Sequence, residues 1–467
     1  MESFDLQFLS EACGAGPWAG GPGRPVLRVC TDSRAVQAGD AFFALRGERF
    51  DGHDFLGEVA ARGAVAVVVQ RGRAPQAPAP GVVLEVEDPR AALGRLAARY
   101  RAGFRLPLVA VAGSNGKTTT KELIAALLGS RFVTLRSEAS FNNDVGLPHT
   151  LLRLDRTHEA AVVELGTNHP GELAPLARMA APTVGVLTSL GREHLEFFGD
   201  LAGVEQEEGR LAEALTSEAT LVLGTGEPSA TRLAARTAAR VVRTALSGPA
   251  DWTAEVLGVD WAGSRFRVRA PAEGWSGEYA LAMAGRHNVA NALVALATAA
   301  GLGVEPEAAR GVLAGLRPPR QRLNLWQGGG VGVIDDSYNA NADSMRAALQ
   351  TLSDLPCAGR RVAVLGDMAE LGPLAEAAHV EVGHFSASSA DALFCLGRFA
   401  PLVREAAIRA GLARVEAYPE VAAARPAILD FVRPGDVVLV KASRSARLEG
   451  VASALRDRWN IPTPVPS

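Results

Sequence analysis

Between residues 104 and 318 the chain alternates apolar blocks of strand length with longer stretches whose apolar positions fall at helical spacing. The blocks are "LVAVAG", "AAVVELG", "TVGVLTSLG" and "TLVLG". After the first lies "KTTTKELIAALLG", where Leu123, Ile124, Leu127 and Leu128 share one face and Gly129 marks the end. Such alternation predicts a parallel sheet covered by helices on both faces. The pattern recurs after residue 319 in "GVGVIDD", "RVAVLGD", "ALFCLG" and "DVVLVKAS", predicting a second, doubly wound α/β unit. Near the start, strand-like "AVAVVVQ" and "GVVLEV" flank the Pro-rich run 73–81, which reads as a loop inside a smaller α/β domain.

Two interruptions divide the chain. An Arg- and Ala-rich helical stretch at 91–102 ends at Gly103 before the first buried-type strand. Its arginines, in "LAARYRAGFR", read as a solvated face. Later, "LRPPRQR" at 316–322 places paired prolines where neither helix nor strand continues. The expected layout is therefore 1–103, 104–318 and 319–467, with the tail "IPTPVPS" frayed. The length of 467 residues suits three such domains.

Composition narrows the class without naming a chemistry. Hydrophobic residues at 48% and charged ones at 21% describe a soluble globular chain. A net charge of −3 gives no general attraction to nucleic acid, and no apolar run is long enough to cross a membrane. Cys13, Cys30, Cys357 and Cys395 form no C-x-x-C pair, so reduced thiols in a cytoplasmic protein are expected.

The chemistry concentrates in "VAVAGSNGKTTTKEL". A strand leads into a helix through Gly113, Ser114, Asn115, Gly116, Lys117, Thr118 and Thr119. The common phosphate loop, G-x-x-x-x-G-K-[ST], has its first glycine two places earlier. Glycines here allow backbone N–H groups to converge on anionic oxygens, and Asn115 tolerates a left-handed conformation. Lys117 would reach the terminal phosphates of a bound nucleotide and the Thr118 hydroxyl a magnesium ion. In a parallel sheet such a loop sits at the carboxyl rim. Glu164, at the end of "VVEL", and the loop after "TSLG" share that rim.

The shortened loop "GSNGKTT" resembles that of the Mur ligases, ATP-dependent amide-forming enzymes of cell-wall synthesis. The likeness extends through "TDSRAVQAGDAFFALRGERFDGHDF", "SFNNDVGLPHTLL", "ELGTNHPGEL", "GREHLEFFGD", "IDDSYNANADSM", "LGDMAELG" and "VLVKASRS". "DDSYNAN" with "GDMAELG" points to the branch that adds D-alanyl-D-alanine to UDP-N-acetylmuramoyl-tripeptide. The resemblance implies an N-terminal UDP-substrate domain, a central ATP-binding domain and a C-terminal Rossmann-like domain. It implies ATP and Mg2+ as cofactors, these two small molecules as substrates, a monomer, and an acyl phosphate intermediate attacked by the dipeptide amine. Another ligase of the family, a folylpolyglutamate-type ligase, or a nucleotide-binding scaffold without turnover are the alternatives.

The same resemblance assigns residues. Lys117, Glu164, His194 and Glu208 would be catalytic, with Thr118, Glu164, His194 and Glu208 holding magnesium. His287, Asn288 and Asn291 would contact adenine, with Asn288 also readable as a helix cap. Arg322 and Asp336 would bring ATP contacts from the third domain, although Gln321 stands where a glycine is usual. Ser33, Arg34, Gly47, Arg49, Asn142 and Asn143 would line the UDP-substrate site. Tyr338, Asn339, Asn341, Lys441, Ser443 and Arg444 would face the peptide or dipeptide, with Ala442 replacing a customary glycine. One departure stands out. The family's lysine, which carries a CO2-derived carbamate, aligns with Glu208 in "VEQEEGRL", and Arg210 replaces an acidic residue. A glutamate and a carbamate both end in a planar anionic group, so Glu208 is expected to substitute for the carbamate. The breaks near 104 and 318 are expected to act as hinges for domain closure.

Overall fold

The computed structural model describes residues 1–17, 20, 23–74 and 81–462. Most of the Pro-rich run 73–81 and the tail beyond residue 462 lie outside the described residues. Three sheets organise the chain. A four-stranded parallel sheet orders Arg28–Cys30, Asp40–Phe43, Ala66–Gln70 and Val82–Val86. A six-stranded sheet is parallel through Val331–Asp336, Val437–Lys441, Arg361–Gly366, Ala392–Leu396 and Arg414–Tyr418, with Asn324–Gly328 antiparallel at its edge.

The central sheet has nine strands. Leu108–Ala112 lies in its interior between Ala160–Glu164 and Val184–Leu187, and its residues are all buried, as expected of a strand covered on both faces. Helix Lys117–Gly129 covers one face; Leu123, Ile124, Leu127 and Leu128 are fully buried beside Leu293 and Leu296 of helix Arg286–Gly301. Truncating any one of these leucines to alanine would cost about 2–5 kcal/mol.

The sequence pattern of alternating Phe266 and Val268 with Arg265, Arg267 and Arg269 forms an antiparallel extension that the block reading passed over. Trp252–Asp260, Gly263–Arg269 and Gly277–Leu281 continue the sheet, with apolar side chains inward and arginines in solvent.

The core is continuous across the break at 103. Leu93 and Leu96 of helix Pro89–Arg101 share one cluster with Leu108, Ala110, Leu151 and Leu176 of the central unit. Arg99 and Arg105 are exposed, as expected of a solvated face, and Arg101 is the exception. Arg101 is buried: Nε donates to Ala180 O at 3.2 Å and Nη1 to Phe104 O at 2.6 Å. Its aliphatic stem packs while carbonyls satisfy its head, so burial lowers its pKa without removing its partners.

Candidate active site

The strand Leu108–Ala112 ends where two conformational demands meet. Gly113 (φ +115°) and Gly116 (φ +84°) occupy the left-handed half of backbone space. A Cβ on Gly113 would fall 2.5 Å from Thr188 Oγ1, and one on Gly116 would fall 2.3 Å from Asn291 Oδ1. Both glycines are therefore required by dihedral and by space. Asn115, which would tolerate a left-handed conformation, does not adopt one. Its carbonyl instead accepts from Thr188 Oγ1 at 2.7 Å, and its Oδ1 accepts from Asn341 Nδ2 of the third domain at 2.9 Å.

A cavity of about 880 Å3 opens at this rim. Ser114 to Thr118, Asn142, Asn143, Glu164 and His194 wall it from the central unit. Arg322, Tyr338, Asn339 and Asn341 close it from the third domain, and Glu48 and Arg90 reach it from the first.

Lys117 Nζ donates to the carbonyls of Gly113 (2.6 Å) and Ser114 (3.3 Å) and to Glu193 Oε2 (3.1 Å). Burial alone would lower its pKa; the charges of Glu193, Glu208 and Glu164 outweigh that and raise it. The ammonium thus stays charged in a desolvated place, ready for an anion that competes with Glu193.

Glu193 was missed by sequence reading, since nothing local marks a carboxylate whose partner lies 76 positions away. Lys121 was missed too. It is fully buried, and its Nζ donates to Ser137 O (2.9 Å) and Ala139 O (3.1 Å), tying down the segment that carries Ser140 and Asn142. Asn142 Nδ2 in turn donates to Glu164 Oε1 at 2.8 Å.

The three glutamates of "VEQEEGRL" have separate tasks. Glu205 pairs with Arg232, and Glu207 accepts the amides of Gly171 and Leu173. Glu208, 1% exposed, lies beneath the phosphate loop, where Oε2 accepts from Gly113 N at 2.7 Å. Burial and the neighbouring Glu193 push its pKa up to about 8, against the pull of Lys117 and the Gly113 amide. Arg210 faces solvent and pairs with Glu213.

The magnesium set expected from the resemblance is only partly assembled. Thr118 and Glu164 both line the cavity, and Glu164 Oε2 is buried without a hydrogen-bond partner, 4.0 Å from Lys121 Nζ. Two oxygen donors beside a phosphate site fit a magnesium ion, which takes its remaining ligands from water and phosphate. His194 lines the same cavity, with its Nδ1 2.6 Å from Glu370 Oε2, another lining residue, without hydrogen-bond alignment; both residues hold positive φ, 47° and 60°. Glu208 is not on the cavity wall, and among the described residues no group of three or more His, Cys, Asp or Glu side chains converges on a metal position. Glu208 thus does not share the cavity wall with His194, although its Oε1 is buried without a hydrogen-bond partner.

The remaining candidates fall into three groups. Near the cavity, Arg322 stacks over the Tyr338 ring at 4.2 Å, Arg444 lies over it at 5.4 Å, and Tyr338 Oη meets Ser140 Oγ at 2.6 Å. Gln321, at φ +58°, adopts the conformation that glycine takes freely. Behind the wall, Lys441 Nζ is bound to Asp336 Oδ2 at 2.6 Å, and Ser443 Oγ donates to Asp367 O. His287 is held neutral, its pKa pushed down to about 4 by burial, with Asp336 opposing and Lys441 reinforcing the shift. Asn288 is not the helix cap: Gly285 precedes Arg286–Gly301, and Asn288 Nδ2 donates back to Ala284 O. Asn291 backs Gly116, and Thr119 is buried under the loop. In the first domain Gly47 and Arg49 flank Glu48, which lines the cavity, whereas Ser33 and Arg34 do not line it and Arg34 pairs with Asp32.

Family models match in three consecutive stretches: "Mur ligase family, catalytic domain" over 26–101, "Mur ligase middle domain" over 111–299 and "Mur ligase, glutamate ligase domain" over 321–444. The chain is 36% identical to the UDP-N-acetylmuramoyl-tripeptide--D-alanyl-D-alanine ligase of Escherichia coli, covering 92% of this chain and 93% of the relative. A crystal structure of MurF from Acinetobacter baumannii superposes with a TM-score of 0.88 at 31% identity, covering 98% of this chain and 99% of that one. MurF ligase of Thermotoga maritima in complex with ADP superposes at 0.82 with 26% identity, covering 93% and 98%. With the loop, the sheets and the sequence in agreement over nearly its whole length, the chain belongs to the Mur ligase family.

Proposed function

We propose that this chain is an ATP-dependent ligase that joins D-alanyl-D-alanine to UDP-N-acetylmuramoyl-tripeptide, making the pentapeptide precursor of peptidoglycan. The observation that carries the reading is the phosphate loop whose Lys117 Nζ, held by Gly113 O, Ser114 O and Glu193 Oε2, lies on a cavity walled by three domains. The names of the relatives support the choice of substrates.

The reaction brings the tripeptide carboxylate to the γ-phosphorus of ATP, two anions that repel. Lys117 leaves Glu193 and the two loop carbonyls to meet the phosphates, while loop amides held in shape by Glu208 and Asn291 complete the cradle. Magnesium, held by Thr118 and Glu164, would neutralise phosphate charge. Arg322 and Arg444, poised on Tyr338, offer cationic partners to the peptide or dipeptide carboxylates. The dipeptide amine then attacks the acyl carbon, and phosphate leaves.

The chain is taken to act as a monomer. Among the described residues no helix is long and apolar enough to cross a membrane, and both nucleotide substrates point to work in the cytoplasm. The test is phosphate release with ATP, the UDP-tripeptide and D-alanyl-D-alanine. Release requiring both acceptor and donor supports the reading; release indifferent to them removes it.

A further inference from the structure

The loop that follows strand Val184–Leu187 touches two domains at once. On one side it binds the phosphate loop: Ser114 N donates to Ser189 O at 2.7 Å, Gly191 N donates to Ser114 Oγ at 2.9 Å, and Glu193 holds Lys117. On the other side Arg192 reaches the third domain. Its backbone N–H donates to Asp343 Oδ2 at 2.7 Å, its Nε and Nη2 donate to Asp343 Oδ1 at 3.2 and 2.8 Å, and its Nη1 and Nη2 donate to Glu381 at 2.6 and 3.0 Å. One guanidinium thus clamps two carboxylates in the forked geometry that arginine, unlike lysine, can satisfy fully.

The position of these carboxylates matters. Asp343 lies in the first turn of helix Ala342–Asp354, whose cap, Asn341, donates to Asn115 of the phosphate loop. Asn341 and Ser344 of that helix start are cavity wall. The approach is close: a Cβ on Gly191 would fall 2.8 Å from both Asn115 Nδ2 and Asp343 Oδ2. Arg192 is itself absent from the cavity wall, so its influence passes through the helix it holds.

We propose that Arg192 is a positioning residue that fixes the third domain against the phosphate loop, so that the acyl phosphate is delivered to the amine rather than to water. The inference rests on the ligase reading above. In the productive step the amine nitrogen bonds to the acyl carbon, the carbon–oxygen bond to phosphate breaks, phosphate leaves with the electron pair, and the nitrogen gives up a proton. Water in the amine's place returns the tripeptide carboxylate and free phosphate, a net hydrolysis of ATP. A closed wall suppresses that second path.

The test measures phosphate released per peptide bond formed in the full-length wild type, Arg192→Ala and Arg192→Lys. Wild type should give a ratio near one. Arg192→Ala should raise it several-fold and increase KM for D-alanyl-D-alanine more than KM for ATP, and Arg192→Lys should fall between them. An Arg192→Ala enzyme with a ratio near one and unchanged KM values overturns the proposal. So does a folded variant that releases no phosphate at all, since that would place Arg192 in the first step. If the wild type forms no peptide bond, the ligase reading is what fails. Small-angle scattering with ATP then reads the docking claim alone: a larger radius for Arg192→Ala supports it, and an equal radius overturns it.

Discussion

Glu208 Oε2 accepts the backbone N–H of Gly113 at 2.7 Å, so a helix carboxylate holds the first residue of the phosphate loop from below. Glu208→Ala leaves that buried donor unpaired, which costs about 1–3 kcal/mol of stability, and should raise KM for ATP on the order of tenfold as the loop loosens. Glu208→Gln keeps an acceptor and should behave nearly as wild type in thermal melts and ATP titrations. Glu208→Lys, assayed with and without bicarbonate, separates bracing from metal support. Bracing predicts no bicarbonate effect, whereas recovery only with bicarbonate would restore a carbamate-like ligand to the account.

Lys117 Nζ is held by Glu193 Oε2 and the carbonyls of Gly113 and Ser114. Lys117→Ala should lower kcat by on the order of a thousandfold, the scale for losing a preorganised charge at a transferring phosphoryl group. Circular dichroism should show the fold intact, because the loop lies on the sheet rim. Near-normal turnover in the folded variant would remove Lys117 from the transition state.

Glu193 competes with phosphate for the same ammonium. Glu193→Gln removes the competing charge while preserving shape, so ATP should bind several-fold more tightly by calorimetry. Weaker binding would instead show that Glu193 helps hold the nucleotide.

What could be read from the sequence and what could not follow from the range of each interaction. The phosphate loop is legible because Gly113, Gly116 and Lys117 act through their own backbone or the adjacent strand-to-helix junction. The parallel strands are legible because burial on both faces leaves unbroken apolar blocks. Arg192, Glu193 and Lys121 are not, since Asp343, Glu381, Lys117 and Ser137 reach them only through the tertiary fold. Glu208 is the intermediate case. Its oddity shows in the sequence, but whether it faces the cavity or the underside of the loop is set by how helix Leu201–Glu208 docks.

Asp335 offers a pH test independent of substrates. It is buried, and burial raises its pKa from 3.8 to about 6 despite hydrogen bonds from Ser337. A raised folded-state pKa means that the native state holds the proton more tightly than the unfolded chain. The stability this contributes is complete below about pH 4 and is lost as pH rises through about 6. Asp335→Asn cannot ionise and keeps an acceptor for Ser337. Denaturant melts should show it more stable than wild type at pH 8, by on the order of 1–3 kcal/mol, with little difference at pH 4. Equal offsets at both pH values would contradict the assignment.

The central claim is that the tripeptide carboxylate itself attacks ATP, and isotope transfer tests it most directly. UDP-N-acetylmuramoyl-tripeptide labelled with 18O in its terminal carboxylate is turned over with ATP and D-alanyl-D-alanine, and the released phosphate is examined by mass spectrometry. The acyl phosphate route predicts one 18O atom in each phosphate formed with a peptide bond, because the bridging oxygen leaves with phosphorus. Unlabelled phosphate accompanying pentapeptide formation would contradict the account.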